Sequence, residues 1–437
     1  MSDNEGYKHF MRPEPRENLG PIRLEHDKIF GRRVKTRMAR IGMLRNAAEE
    51  RKKEVKVFLE PFPHIRVEKA KDLQGWYKGK YERKTVRPRP CYTEALLTEP
   101  YGGYCPVGCV HCYINSGVRG YRATGLVTVP MNYGEQIEQQ LSRLLVGSAG
   151  YLTSFHDPFN PLEEVYHNSQ EAGQAFIDVG LPIFYLSRLK YPDWAVEQLR
   201  ENQYSYAQKS MNTCNEDDWA KMSPGAASLE EHLKDIRRFK KLGIYTSIQV
   251  NPVIPGVTSN GQIVLLFKQL AKAGANHVIV KFVEAAYSWV PTLFSNIERK
   301  FGEERAEKFR TLFTQNIGGE KTVDEEYRVA AHKQFSEAAT KLGMTYAMCY
   351  EYKWKQDAGG LDKTGISLGP EFTTAAQCHG QRVPMHYRKT PADKFVAFEG
   401  CPPSGCLYCE EQGTPCGNDT LGNATALRLP MLWRPMK

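Results

Sequence analysis

Three cysteines stand at a C-x3-C-x2-C spacing in CPVGCVHC, residues 105–112: Cys105, Cys109 and Cys112. Thiolates are soft ligands that favour iron–sulfur clusters and zinc over hard cations. Two cysteines would fit a disulfide or half a zinc site. Three in one short loop fit a single iron–sulfur cluster held by three thiolates, with one iron left open. A zinc knuckle or three buried thiols is the alternative reading. Gly108, with Gly102 and Gly103 upstream, lets the backbone curl around a bulky ligand. A second constellation lies in the tail: Cys401, Cys406, Cys409 and Cys416, preceded by Cys378. Pro402, Pro403 and Gly405 suit a tight ligand-bearing loop. Four thiolates there would close either a structural zinc site or a 4Fe–4S cluster. The last four are the expected set, with Cys378 the spare or a replacement. Cys91, Cys214 and Cys349 are expected to be buried residues, although Cys214 follows a strand end and could face the site.

The elements that must position these residues follow from composition and pattern. The chain has 437 residues, 41% hydrophobic and 25% charged, long enough for one large domain with appendages. It holds no apolar run of about 18 residues, which argues against a membrane span, and its polar first ten residues lack a signal-peptide core. Eleven cysteines at cluster-like spacings argue for a reducing, cytoplasmic setting and against a disulfide framework. The net charge of +9 is uneven. Residues 1–90 hold 24 Lys+Arg against 13 Asp+Glu, and the remainder holds 35 against 37. Such asymmetry fits an arm that meets a polyanion, with a solvated basic face as the plain alternative.

Residues 1–90 read as a basic N-terminal extension. Residues 31–56 are expected to form a basic amphipathic helix, with Val34, Met38, Ile41 and Leu44 as its stripe and Arg33, Arg37, Arg40 and Arg45 outward. Residues 78–89, KGKYERKTVRPR, follow Trp76 and Tyr77 and suit phosphate contact and base stacking. From residue 91 strands and helices alternate. Strands are expected at 95–98, 151–155, 183–186, 204–210, 244–250 and 277–283. Helices are expected at 132–145, within 162–179, at 194–201, from Ser228 with a Glu231 capping box to Gly243, and at 263–273 closed by Gly274. This alternation means a parallel sheet covered by helices. Residues 291–350 read as a helical continuation, over 293–313 and 325–342, with a further strand near 344–350. Residues 354–370 read as a loop, and 351–437 as a loop-rich C-terminal domain.

CPVGCVHC resembles the cluster loop of the radical S-adenosylmethionine (SAM) superfamily, with His111 where an aromatic residue usually stands. TSFHDPFNPLE at 153–163 resembles the T-D-P-Y-Q-P-x-E segment of its spore photoproduct lyase-like branch. AQKS at 207–210, MSPGAAS at 222–228 and NPVIPG at 251–256 resemble three further segments of that branch, with Met222 in place of a glutamate. The resemblance implies an α/β fold, a partial (β/α)6 TIM barrel over 91–290 with a C-terminal iron–sulfur domain. It implies a 4Fe–4S cluster on Cys105, Cys109 and Cys112 whose open iron binds SAM. An electron, from a flavodoxin- or ferredoxin-type donor, would then split SAM to a 5′-deoxyadenosyl radical. Active-site groups are expected at the C-terminal ends of the strands. By position, Ser154 and Asp157 would hold the SAM amino group, Lys209 and Ser210 its carboxylate or ribose. The backbone at Asn251, and His111, would meet the adenine. As structural alternatives, Asp157 would cap a helix and Lys209 would pair with an acid.

One departure bears on the reaction. Spore photoproduct lyases carry a hydrogen-donor cysteine before the second-strand segment, and here that place reads LTSF, residues 152–155. An isomerisation that returns the hydrogen it took would not need that thiol. The resemblance to a DNA-acting branch, together with the basic arm, implies as favoured substrate a nucleobase in DNA or a nucleotide polymer; family context points specifically to a hypermodified thymine carrying an amino acid, acted on by a phage-type isomerase. The alternatives are a peptide-modifying radical enzyme with an auxiliary cluster, and a non-enzymatic metal-binding module.

Overall fold

The computed structural model describes residues 57–70, 73, 95–112, 125–317, 320–349, 351–357 and 360–401. Seven parallel strands form the central sheet: β1 (Ala95–Thr98), β2 (Ala149–Leu152), β3 (Ile183–Ser187), β4 (Tyr206–Ser210), β5 (Thr246–Val253), β6 (His277–Phe282) and β7 (Thr345–Met348). They lie side by side in chain order, and β1 and β7 are its two edges. The fold is thus α/β with a parallel sheet, open between its first and last strands. Near-continuous apolar runs such as ALLT in β1 and IFYLS in β3 are what a sheet covered on both faces requires.

Helices cover one face: α1 (Tyr133–Leu141), α2 (Asn168–Asp178), α3 (Asp193–Arg200), α4 (Glu216–Met222), α5 (Leu229–Lys241), α6 (Asn260–Ala273), α7 (Val290–Phe301), α8 (Glu303–Leu312) and α9 (Glu325–Lys341). The expected Ser228–Glu231 capping box opens α5, and Gly243 follows it with φ +69°. Gly274 closes α6 with φ +108°, and α6 begins earlier than expected because Ser259 and Gln262 form a second capping box. The single helix expected over 293–313 is two, broken at Gly302 with φ +86°. The 325–342 helix is capped by Asp324, and it leads into β7, the further strand expected near 344–350, which extends the sheet beyond the six expected units. Residues 354–370, expected as a loop, pair as an antiparallel hairpin, Tyr352–Asp357 with Gly360–Ser367. Its glycines and aspartates mask the β-formers Tyr352, Trp354 and Ile366.

The other face of the sheet carries a ladder of rings. Tyr151 stacks on Phe184 at 4.4 Å and Phe184 on Tyr206 at 4.5 Å between centroids. The chain after residue 370 fills the space below them. His379 Nδ1 lies 2.9 Å from the Tyr206 hydroxyl, and His277 Nε2 lies 2.9 Å from the Cys378 carbonyl. The part of the expected C-terminal domain that is described, to Cys401, therefore packs on this face of the sheet. A small sheet joins Val57–Phe58 and His64–Val67 to Val127–Pro130 and Gly102–Gly103, so part of the N-terminal extension is built onto the segment leading into the cysteine loop. The helix expected over 31–56 and the basic stretch 78–89 lie outside the described residues. Among the described residues no helix is long and apolar enough to cross a membrane.

Candidate functional site

The cysteine loop follows β1 and is fixed by backbone bonds to the segment after α4. Val110 N donates to the Met222 carbonyl at 2.9 Å, and Gly225 N donates to the Val107 carbonyl at 3.0 Å. Inside the loop, Gly108 N donates to the Cys105 carbonyl and Cys112 N to the Cys109 carbonyl, with Gly108 at φ +65°. These bonds join two segments, CPVGCVHC and MSPGAAS, that stand more than a hundred residues apart. Asp218 anchors α4 from behind through a bidentate pair with Arg305 of α8, at 2.7 and 2.8 Å.

The three thiols feel one another electrostatically. Burial pushes the Cys105 thiol up, and the charges of Asp157, Cys109 and Cys112 add to it. Burial also raises Cys109, opposed by the Arg188 guanidinium and by a contact with the Ser223 hydroxyl at 3.3 Å. Among the described residues, no three His, Cys, Asp or Glu side chains converge closely enough to hold a single metal ion.

Arg188, one residue past the end of β3, is the hub that sequence reasoning missed. Its Nη2 donates to the Asn251 carbonyl at 2.7 Å and lies 3.4 Å from His111 Nε2; its Nη1 lies 3.4 Å from the Ser223 hydroxyl. Its guanidinium also sits over the Trp219 ring at 5.3 Å. The signal for it was the strand-end rule already applied to β2 and β4.

His111 is 5% exposed, and burial, then Arg188, pushes its imidazole well below the ordinary range. It is therefore neutral. Since a guanidinium only donates, Nε2 accepts and Nδ1 carries the proton. That Nδ1 is buried without a hydrogen-bond partner. A buried donor left unsatisfied is rare in a folded protein, so His111 offers one hydrogen bond to a bound molecule beside the thiols. A soft three-thiol set with an orphaned donor next to it fits a cluster and an adenosyl cofactor.

The other expected residues divide. Asn251 lies at this centre through its carbonyl. Ser154 points its hydroxyl toward Glu99 at 3.4 Å, beside the end of β1. Ser210 ends β4 and is buried. Asp157 is turned into the protein. Its carboxylate accepts from Phe159 N at 3.0 Å, Arg188 N at 2.8 Å and the Ser187 hydroxyl at 2.9 Å, so it welds the ends of β2 and β3 and orients Arg188. Lys209 lies on the opposite face of β4 from Ser210. It is fully buried and donates to Asp235 at 2.7 Å and to the Leu189 carbonyl at 2.6 Å. In both, the polar atoms are engaged within the fold, in keeping with the structural alternatives of a cap and an acid partner.

Of the tail cysteines, Cys378 is buried beside Ile279 and Ala347, with Cys349 packed on the same group. Cys401 is buried, and Met385 N approaches its sulfur at 3.4 Å. Cys406, Cys409, Cys416 and Cys91 lie outside the described residues. Cys214 is half-buried, with its thiol 3.4 Å from the Gln262 carbonyl.

No family model matches the chain. A Pseudomonas phage M6 protein named radical SAM Nα-GlyT isomerase is 54% identical over 438 aligned residues, covering 98% of this chain and 91% of that one. Among solved structures, a spore photoproduct lyase variant is similar with a TM-score of 0.46 at 14% identity, over 58% of this chain and 76% of that one. SuiB of Streptococcus suis bound to S-adenosylmethionine follows with a TM-score of 0.37 at 13% identity, over 56% of this chain and 47% of that one.

Proposed function

This chain belongs to the radical SAM enzymes, and on that premise we propose that it isomerises a hypermodified thymine in DNA whose side chain carries an amino acid. The relative's name supports the choice, reading Nα-GlyT as glycine joined through its α-nitrogen to thymine. The observation that carries the reading is the cysteine loop clamped at the C-terminal ends of the strands, with Arg188 joining it to Asn251 and the end of β2. Cys105, Cys109 and Cys112 would hold a 4Fe–4S cluster, with SAM on its open iron. When bound, these groups supply a 5′-deoxyadenosyl radical able to take a hydrogen atom from carbon.

The chain's own part is positioning. The neutral His111 offers its Nδ1 proton to the adenosyl group, and the Asn251 carbonyl, steadied by Arg188, lies along it. Ser154 and Ser210 offer hydroxyls to the methionyl end and the ribose. The absence of a cysteine at 152–155 suits a rearrangement in which the hydrogen taken is given back. Cys401, Cys406, Cys409 and Cys416, with Cys378 as substitute, would hold a second 4Fe–4S cluster or zinc. The electron would come from a flavodoxin- or ferredoxin-type protein.

The test is anaerobic turnover of the reconstituted enzyme on oligonucleotides bearing the glycyl thymine, deuterated at the glycyl carbon. Expected are a product at a new retention time, of unchanged mass when made from undeuterated substrate, and, from the deuterated substrate, deuterium shared between the 5′-deoxyadenosyl group and the product, with one mass unit lost from the product for each deuterium retained by the former. Reductive SAM cleavage with no change in the oligonucleotide would overturn the substrate assignment.

A further inference from the structure

Among the described residues, the Arg188 side chain makes one short bond, to the Asn251 carbonyl at 2.7 Å. Its two other polar contacts, with His111 Nε2 and the Ser223 hydroxyl, are both 3.4 Å long. A planar fork held by one short bond can still turn about that bond. The aim of its other N–H groups must therefore be set by something that acts on the plane of the guanidinium. The indole of Trp219 is placed to do this, with the guanidinium carbon 5.3 Å from its centroid. Trp219 is 2% exposed, and a cation over an indole is held most strongly where water is excluded.

The indole is itself fixed. The helix that carries it, α4, is capped by the Asn215 side chain, which accepts from Asp218 N, and Asp218 is tied to Arg305. The indole N–H donates to the Ala227 carbonyl at 2.7 Å, and Ala227 N donates to the Arg188 carbonyl at 2.9 Å. Trp219, Ala227 and Arg188 thus close a ring of contacts that holds both the main chain and the side chain of the arginine. His232 of α5, fully buried, packs perpendicular to the same indole at 5.3 Å. The ring also reaches the thiols: Ser223 N donates to the Trp219 carbonyl at 2.9 Å, and the Ser223 hydroxyl lies 3.3 Å from the Cys109 sulfur. Groups that must be aimed to a fraction of an ångström depend on supporting contacts of this kind.

We propose that Trp219 is a positioning residue for SAM: it aims the Arg188 guanidinium and acts on the cofactor only through that arginine. The proposal rests on the cluster and SAM site proposed above and is independent of the substrate. A tryptophan that only filled the core would support the site equally with or without Arg188.

The test is a double-mutant cycle that needs no turnover. SAM affinity is measured by equilibrium dialysis against the oxidised, cluster-loaded protein, with bound iron and the urea midpoint confirming that each variant is loaded and folded. Trp219→Leu removes the ring, whereas Trp219→Phe keeps an aromatic face and loses the N–H bond. With Arg188 present, Trp219→Leu should weaken SAM binding by about 5- to 30-fold, the range for a desolvated cation–π contact, and Trp219→Phe by less. In an Arg188→Met background, either substitution should change the affinity by less than about twofold. Equal losses in the two backgrounds overturn the proposal, and so does a Trp219→Leu protein that binds SAM like the wild type. Should Trp219→Leu fail to retain iron, Trp219→Phe decides by the same comparison. A wild type that loads no cluster or binds no SAM overturns the function proposed above, and the role of Trp219 with it.

Discussion

Arg188 donates to the Asn251 carbonyl at 2.7 Å while its own backbone N–H is held by Asp157 at 2.8 Å. One residue thereby fixes the ends of β2, β3 and β5 relative to one another, with His111 and Ser223 within its reach. Replacing it separates geometry from charge. Arg188→Lys keeps the charge but loses the planar fork that serves several acceptors at once. SAM cleavage under reducing conditions is expected to fall by about 10- to 150-fold, the range for losing a charge-assisted hydrogen bond. Quantifying 5′-deoxyadenosine against iron content checks this, since iron should stay bound in the variant.

Most of this architecture was legible because periodicity and caps agree along the middle of the chain. Ser228 with Glu231, and Gly243 and Gly274 in the left-handed region, mark helix ends by local chemistry that tertiary packing leaves alone. The cysteine spacing was equally local. What was not legible depends on contacts between distant residues. Arg188 stands at a strand end, but its partners Asn251, His111 and Ser223 lie on other segments, so the sequence assigned it no role. For Lys209 the sequence leaves an acid partner as the alternative to a cofactor contact, but that the acid is Asp235 of α5 depends on the fold. The seventh strand was visible only as a short apolar run, and its place depends on β6 offering a free edge.

Gly173 in α2 tests the packing behind β3. A Cβ there would lie 2.1 Å from the Tyr185 hydroxyl and 2.7 Å from Gln198 Oε1, two groups hydrogen-bonded to each other. Tyr185 is fully buried, so it has nowhere to swing. Gly173→Ala should therefore destabilise by about 1–3 kcal/mol despite the better helix propensity of alanine. Urea denaturation of the variant measures it, and a stabilised protein would show that this pair yields easily.

Glu351 gives a pH prediction. Burial pushes its carboxyl up, but Arg328, His332 and Lys281 together outweigh burial and hold it at about 2, against 4.5 in a free chain. A depressed carboxyl stabilises the fold above its unfolded value and loses that contribution as pH falls. The loss should run from about pH 4.5 down to about pH 2. Glu351→Gln should flatten this part of the acid limb. It should also lower stability at neutral pH by about 3–5 kcal/mol, because the buried Arg328 loses its counter-charge. Denaturant midpoints measured from pH 2 to 7 in both proteins check the two effects together.

The charge asymmetry of the chain yields the last prediction. Residues 78–89 carry six Lys and Arg against one Glu, next to Trp76 and Tyr77. If this stretch meets DNA phosphates, each contact releases counterions and steepens the dependence of affinity on salt, by about 0.9 in the log–log slope per phosphate on duplex DNA. Substituting all six cations by glutamine should weaken DNA binding similarly for every sequence and reduce the slope by up to about 5. Deleting residues 1–90 would be a poorer test, because Val57–Phe58 and His64–Val67 are paired into the sheet that includes Gly102–Gly103. Fluorescence anisotropy between 50 and 300 mM salt, on modified and unmodified duplexes, gives both slopes, with the SAM-cleavage rate as a check on the folded core. An unchanged slope in the six-glutamine variant would show that the basic stretch makes no phosphate contact.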